Sequence, residues 1–186
     1  GEPVMICPPT AKTVGEETFP IEDEEEHYTL YTAPSEASPR NVLVTDQFGT
    51  DAPWQVTTPK YVLVPTAKTI GGVTFDDRAD LNHYWCYEAN GPRVGVRATL
   101  DDQFNGPDDV RVTTPTLFCN PAEKVHAGEV FPIEDEELHL ACYEIHGKQK
   151  TQQFTVGVEN QFETDEFQIT AWEILCAPAE KTLPSP

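Results

Sequence analysis

Five cysteines have the most reactive side chains in this sequence, and they occupy two kinds of position. Cys7, Cys119 and Cys176 lie in a proline-containing phrase, and Cys86 and Cys142 lie in a His-x-x-Cys-Tyr segment. Thiolates combined with imidazoles could bind a metal ion, whereas thiols alone could form disulfides. The two positions therefore allow either a metal site or a covalent cross-link.

Three histidines recur with the His-x-x-Cys-Tyr segment or its equivalent, at His27, His83 and His139. A metal site would combine the His-x-x-Cys segment with a cysteine of the proline phrase. The first segment keeps His27 but has Leu30 at the cysteine position. This departure favours a structural role for the histidines, in hydrogen bonding at the edge of a strand, and we assign no metal ligand.

The proline-containing phrase occurs four times and sets the organisation of the chain. Its prolines are Pro9, Pro65, Pro121 and Pro178, so the period is 56, 56 and 57 residues. A fixed period of this length indicates a repeat architecture. Four phrases, however, accompany only three copies of the remaining sequence.

The repeat predicts which cysteines pair. Pairing each phrase with the histidine segment that follows it gives two mismatches of cysteine with leucine. Pairing each histidine segment with the next phrase matches Leu30 with Leu63, Cys86 with Cys119, and Cys142 with Cys176. We therefore predict two disulfides, and Cys7 remains unpaired or available to another molecule. Cysteines in a proline-rich, lysine-poor chain also favour an oxidising, extracellular compartment.

The elements that position these residues are predicted to be strands. Short alternating segments separated by Gly, Pro, Asn and Asp indicate an all-β chain, and no segment has helical periodicity. We expect three tandem small β-sandwich or barrel-like repeats of about 56 residues in a linear array. The predicted boundaries are an N-terminal arm at 1–13 and repeats at 14–69, 70–125 and 126–186. A closed trefoil is the alternative, but it would need only three phrases.

The net charge of −20 limits the partners. Such a chain would repel nucleic acid and an acidic membrane surface, and no apolar run reaches the length of a membrane span. Calcium could bind the acidic runs Glu22–Glu26 and Glu134–Glu137, although solvated loops are the favoured interpretation because no known calcium-loop spacing is present. We expect no other metal.

A lysine follows each phrase, and an Asp/Asn-Gln-Phe motif ends one strand of each repeat. The four lysines, Lys12, Lys68, Lys124 and Lys181, are predicted to be exposed strand ends, with a lysine–asparagine isopeptide cross-link as an alternative. The Gln-Phe motif, as in Gln103-Phe104, is predicted to be a turn that anchors a buried ring. No nucleophile, phosphate loop or carboxylate pair stands out, so we predict no enzymatic activity and no cofactor.

The order of these motifs resembles an uncharacterised tandem repeat of secreted or surface-attached bacterial proteins. The resemblance is carried by Leu175 to Lys181, His139 to Tyr143 and Val158 to Phe162. It implies an extracellular location and brings no known activity or site residues. Leu30 and Leu63 depart from the pattern, which implies that the first repeat has no disulfide.

These observations predict a non-enzymatic extracellular structural protein, a subunit of a filament or surface layer. Copies of the chain would join head to tail through the N-terminal strand, with Val4, Met5, Ile6 and Cys7 as the assembly residues, because an unpaired strand edge invites intermolecular pairing. The alternative is a monomeric adhesion or binding module for carbohydrate or Ca²⁺.

Overall fold

The computed structural model describes residues 1–33, 35–76, 78, 80–104, 106–148 and 153–184 of the chain. These residues form strands, turns and loops with no helix, which confirms the all-β prediction. Among them there is accordingly no helix that could cross a membrane. The last residues of the predicted third repeat, 185–186, lie outside the described residues.

The strands follow one another closely along the chain. They are β1 (Pro3–Cys7), β2 (Ala11–Val14), β3 (Glu17–Phe19), β4 (Tyr28–Thr32), β5 (Arg40–Asp46), β6 (Gly49–Pro65), β7 (Ala67–Ile70), β8 (Val73–Phe75), β9 (His83–Asn90), β10 (Val96–Asp101), β11 (Asp108–Ala122), β12 (Lys124–His126), β13 (Glu129–Phe131), β14 (His139–Gly147), β15 (Phe154–Glu159), β16 (Thr164–Ile169) and β17 (Ile174–Thr182).

Seven of these strands form a continuous antiparallel ladder in the order β1–β4–β6–β9–β11–β14–β17. Strands that carry the proline phrase (β1, the second halves of β6 and β11, and β17) alternate with β4, β9 and β14, which we call the histidine strands. Successive antiparallel strands need only local connections. The alternation of the two motifs in sequence therefore becomes their alternation in space.

The ladder places the predicted cysteine partners directly opposite each other. Cys86 is paired with Cys119 and Cys142 with Cys176, and both pairs form disulfides, as the sequence predicted. Leu30 faces Leu63 in the equivalent register. The two residues of each pair are neighbours within one sheet, where directly opposite side chains are in contact range.

Strand β5 closes part of the ladder into a ring. It pairs with the first half of β6 and also with residues 180–182 of β17, so the circuit β5–β6–β9–β11–β14–β17 returns to β5. The long strands β6 and β11 change register around Pro59 and Pro115. Proline has no amide hydrogen to donate to a ladder, so it interrupts regular pairing where the two strands change partners.

The largest core cluster draws its side chains from the strands of this ring. Val44, Val112, Phe118 and Ala141 are almost completely buried, and Trp54 packs with them at 3% exposure. Edge-to-face contacts join the Trp54 ring to Phe118 and to Tyr143. This core joins strands from all three predicted repeats.

A short hairpin follows each of the first three phrases: β2–β3, β7–β8 and β12–β13. The second and third turn through two consecutive residues with positive φ, Gly71-Gly72 (58° and 82°) and Ala127-Gly128 (51° and 87°). Two-residue hairpin turns of this kind match the twist of the strands, and glycine adopts them without a steric penalty. The hairpins β2–β3 and β7–β8 then extend the sheets of later strands, β2 beside β10 and β7 beside β15.

The linear array of separate small repeats is not confirmed. Ladders β7–β15 and β17–β5 join strands from different predicted repeats, and ladder β2–β10 joins the predicted arm to the second repeat. The boundaries 1–13, 14–69, 70–125 and 126–186 stay predictions about the sequence repeat. Strand β1 also differs from the expectation of a leftover arm, because it pairs with β4 of its own chain. Only its outer edge is without a strand partner among the described residues.

Candidate functional site

Two of the four lysines that follow the proline phrase are buried, so the prediction that they are exposed strand ends is wrong for those two. Lys68 is 0% exposed and Lys12 is 7% exposed, while Lys124 is half-buried. Each of these three lysines lies on the first strand of its hairpin, β2, β7 or β12. A buried lysine needs a specific environment, because removing an ammonium group from water is unfavourable.

Two phenylalanine rings supply that environment in each case. We call each set a lysine cage. Lys68 Nζ lies 4.7 Å from the ring centroid of Phe75 and 5.1 Å from that of Phe104. The corresponding distances are 4.6 and 5.5 Å for Lys12 with Phe19 and Phe48, and 4.3 and 4.8 Å for Lys124 with Phe131 and Phe162. An ammonium over an aromatic face gains about 0.5–2 kcal/mol, more when water is excluded.

The phenylalanine of the Gln-Phe motif contributes one of the two rings of each cage. The carboxylate of Asp102 accepts a hydrogen bond from the backbone N–H of Phe104 at 2.7 Å, and Asp46 and Asn160 make the same turn ahead of their own phenylalanines. These turns confirm the predicted role of the motif in turning the chain. Phe104 is buried at 8% exposure, whereas the equivalent Phe162 is 41% exposed.

A histidine–glutamine pair completes two of the three cages. Gln103 Nε2 lies 2.6 Å from His27 Nε2, and Gln161 Nε2 lies 2.7 Å from His83 Nε2. Burial lowers the pKa of both histidines to about 4, so each ring is neutral at pH 7 and can accept the amide hydrogen. The structural role predicted for His27 and His83 thus takes the form of a buried contact between successive repeats.

The same polar atoms lack a hydrogen-bond partner in both complete cages. Within the described part of the chain they are Lys68 Nζ, His27 Nδ1 and Gln103 Oε1 in one, and Lys124 Nζ, His83 Nδ1 and Gln161 Oε1 in the other. Desolvation lowers the pKa of Lys68 and Lys124 to about 8. Each cage joins the strands of a hairpin to the ring of a Gln-Phe turn.

The cage phenylalanines were missed at the sequence level, although a signal was present. Phe19, Phe75 and Phe131 each follow their lysine by seven residues, and each lies next to an acidic or proline-rich loop. That spacing marks a hairpin of constant length. It does not show that the lysine and the phenylalanine point to the same side.

The predicted assembly residues lie together on β1. Val4 is 45% exposed. Met5 and Cys7 are half-buried and pack against a second, smaller hydrophobic cluster. Ile6 packs against a third hydrophobic cluster, which contains Phe104. Cys7 is a free thiol, and burial raises its pKa to about 12. Its partner within the ladder is Tyr28 on β4.

The acidic runs considered for calcium lie in loops. Most side chains of Glu22–Glu26 and Glu134–Glu137 are exposed, and Asp23 and Asp135 form local turns with backbone N–H groups two residues on. No group of three His, Cys, Asp or Glu side chains within the described ranges is arranged to hold a metal ion. Calcium binding therefore has no support from this geometry.

A family model described as a repeat of unknown function (DUF7450) matches residues 28–178. The chain belongs to this family. Neither the curated proteins nor the solved structures contain a match. The matched range spans most of the ring and the cage residues from Lys68 to Phe162, so these features lie within the family repeat. The match confirms that the chain is an uncharacterised repeat protein, and secretion stays a prediction.

The lysine cages predict an unusual dependence of stability on pH. A lysine with a folded pKa of about 8 and an ordinary value of 10.5 loses its proton in the folded state first. The free energy of unfolding should therefore rise as the pH increases from 8 towards 10.5, by about 1–2 kcal/mol per caged lysine between pH 7.5 and 9.5. Guanidinium midpoints at these two pH values test this, in a Cys7→Ser background that removes thiol exchange.

The matched comparison uses methionine, which retains the length and apolar contacts of lysine without its charge. K68M/K124M should lose about two thirds of the rise, because Lys12 in the remaining cage also has a pKa lowered to about 8. K60M should keep the rise because Lys60 is exposed and paired with Glu88. An equal rise in both variants would show that the caged lysines do not titrate in this range.

Proposed function

We propose that this chain is a non-enzymatic structural repeat protein of the cell exterior, whose copies associate through the outer edge of β1. The observation that carries the proposal is the position of β1 at the end of the ladder. It pairs with β4 on one side, and no second strand covers its other side among the described residues. An open strand edge is a template for an added strand.

The position of Cys7 favours one register for an added strand. Cys119 faces Leu140 on the following strand and Cys86 on the preceding one, and Leu63 likewise faces Tyr84 and Leu30. Cys7 faces Tyr28 on the following strand. A strand added in the same register would pair one of its residues with Cys7. This pair of positions is equivalent to the two pairs that form disulfides within the chain.

Backbone pairing rather than disulfide formation would be the first step of such an association. Burial raises the pKa of Cys7, so its thiol is protonated at neutral pH and reacts slowly with other thiols or disulfides. Residues 1–13 do not form an arm that leaves the body, since β1 and β2 both pair with strands of their own chain. The edge of β1 is the surface that could be shared.

A single charge on this edge tests the proposal. Val4→Lys should shift the association equilibrium of the full chain towards monomer by at least tenfold, because a lysine on an edge strand disfavours strand addition. Light scattering coupled to size-exclusion chromatography over a range of concentrations, with electron microscopy of the concentrated sample, measures the shift.

Val125→Lys is the matched control. Val125 is 64% exposed on the separate hairpin β12–β13, so the same charge there should leave association unchanged. Monomers for the unmodified chain at every concentration would contradict the proposal and leave a monomeric binding module as the better description.

A further inference from the structure

Lys181 differs from the other phrase lysines in its surroundings. Lys12, Lys68 and Lys124 lie against pairs of phenylalanine rings, whereas Lys181 Nζ lies 2.6 Å from Oδ1 of Asn120 and donates a hydrogen bond to it. The C=O bond is about 1.2 Å long, so the Asn120 carbonyl carbon is within about 4 Å of the amine. This is close to the separation from which an amine can attack a carbonyl.

The two residues lie on strands that are not neighbours. Asn120 is on β11 and Lys181 is on β17, and β14 lies between these strands in the ladder. His139 interacts electrostatically with Lys181, and its ring centroid lies 5.5 Å from that of Phe118, with the two rings tilted by 32°. Lys181 and Asn120 are both half-buried, and His139 is 5% exposed. The contact therefore crosses over β14, near the end of β17 that pairs with β5.

The asparagine is specific to this copy of the phrase. The equivalent positions in the other three phrases are Pro8, Val64 and Ala177, none of which has a side-chain carbonyl. One lysine of four therefore has an amide partner, and it is the one without a described aromatic cage.

We propose that Lys181 and Asn120 form an intramolecular isopeptide bond. The uncharged Nζ attacks the side-chain carbonyl carbon of Asn120, and a C–N bond forms. The bond from this carbon to Nδ2 then breaks, a proton from Nζ passes to Nδ2, and ammonia leaves. The reaction needs no oxidant and no added group, since both reactants are side chains of the folded chain.

The surroundings favour the uncharged amine. Burial lowers the pKa of Lys181, and the nearby carboxylate of Glu137 acts in the opposite direction. The backbone carbonyl of Glu137 lies 2.9 Å from Nδ1 of His139, which fixes the orientation of the ring. Burial is the largest cause of the lowered pKa of His139, so its ring is neutral at pH 7 and adds no positive charge near the amine.

The mass of the intact full-length protein tests the proposal directly. After both disulfides are reduced, the mass should be lower than that of the sequence by one ammonia molecule, and digestion should give a branched peptide joining residues 120 and 181. K181R and N120A should each restore the full mass. N120D should still react but release water instead of ammonia.

K68R is the control, because Lys68 is caged by Phe75 and Phe104 and should not contribute to any mass loss. A full sequence mass for the unmodified protein, after prolonged incubation in the folded state, overturns the proposal. A mass loss that persists in K181R would assign the cross-link to another pair and overturns it as well.

Discussion

Replacing Leu30 and Leu63 together by cysteine is expected to create a third disulfide. The two residues are cross-strand partners in the register that Cys86 and Cys119 occupy in the next repeat, and both are almost completely buried at 1% and 2% exposure. The separation of 33 residues equals that of the Cys86–Cys119 bridge. A bridge closing a loop of this size stabilises a protein by about 3–4 kcal/mol in the loop-entropy model.

The comparison that isolates the cross-link is L30C/L63C against L30A/L63A, both in a Cys7→Ser background. The alanine variant has lost the same leucine packing but cannot be bridged, so the difference in guanidinium unfolding free energy reports the disulfide. Peptide mapping without reductant should show positions 30 and 63 linked. A linked protein no more stable than the alanine variant would mean that this register is strained in the first repeat.

Trp54→Ala is expected to cost about 3–5 kcal/mol of unfolding free energy, the range for loss of a buried tryptophan. Trp54 lies in the half of β6 that pairs with β5, and it contacts the rings of Phe118 at 6.0 Å and Tyr143 at 5.6 Å. These rings belong to β11 and β14. Removing the indole therefore empties the space where strands from different repeats meet.

Trp85→Ala is the control for this prediction. Trp85 is half-buried and lies on β9 between β6 and β11, away from the closing strand β5. Its loss should cost clearly less, and chemical denaturation monitored by circular dichroism can compare the two variants. Equal costs would show that the core around Trp54 does not hold the ring together.

The pairing of the cysteines was accessible from the sequence because it depends on the repeat. A period of 56 or 57 residues places equivalent residues in equivalent strands, and the match of Leu30 with Leu63 excluded the competing register. Antiparallel strands of one ladder are close in sequence, so their register follows from local order.

The lysine cages could be predicted only in part from the sequence. The seven-residue spacing from Lys68 to Phe75 is visible in the sequence, but it is compatible with an exposed hairpin. Whether the ammonium group is buried depends on Phe104, which is 36 residues away and reaches the site through a separate turn. Propensity and periodicity do not report contacts over such separations.

The sequence by itself determined the all-β class, the alternation of phrase and histidine strands, and the two disulfides, since each follows from short-range pattern and repetition. Only the tertiary structure decided that β5 pairs with β17, that β1 is folded onto β4, and that Lys181 meets Asn120. These contacts join distant segments. They depend on how a twisted sheet curves back on itself and which edges then meet, which local sequence pattern does not specify.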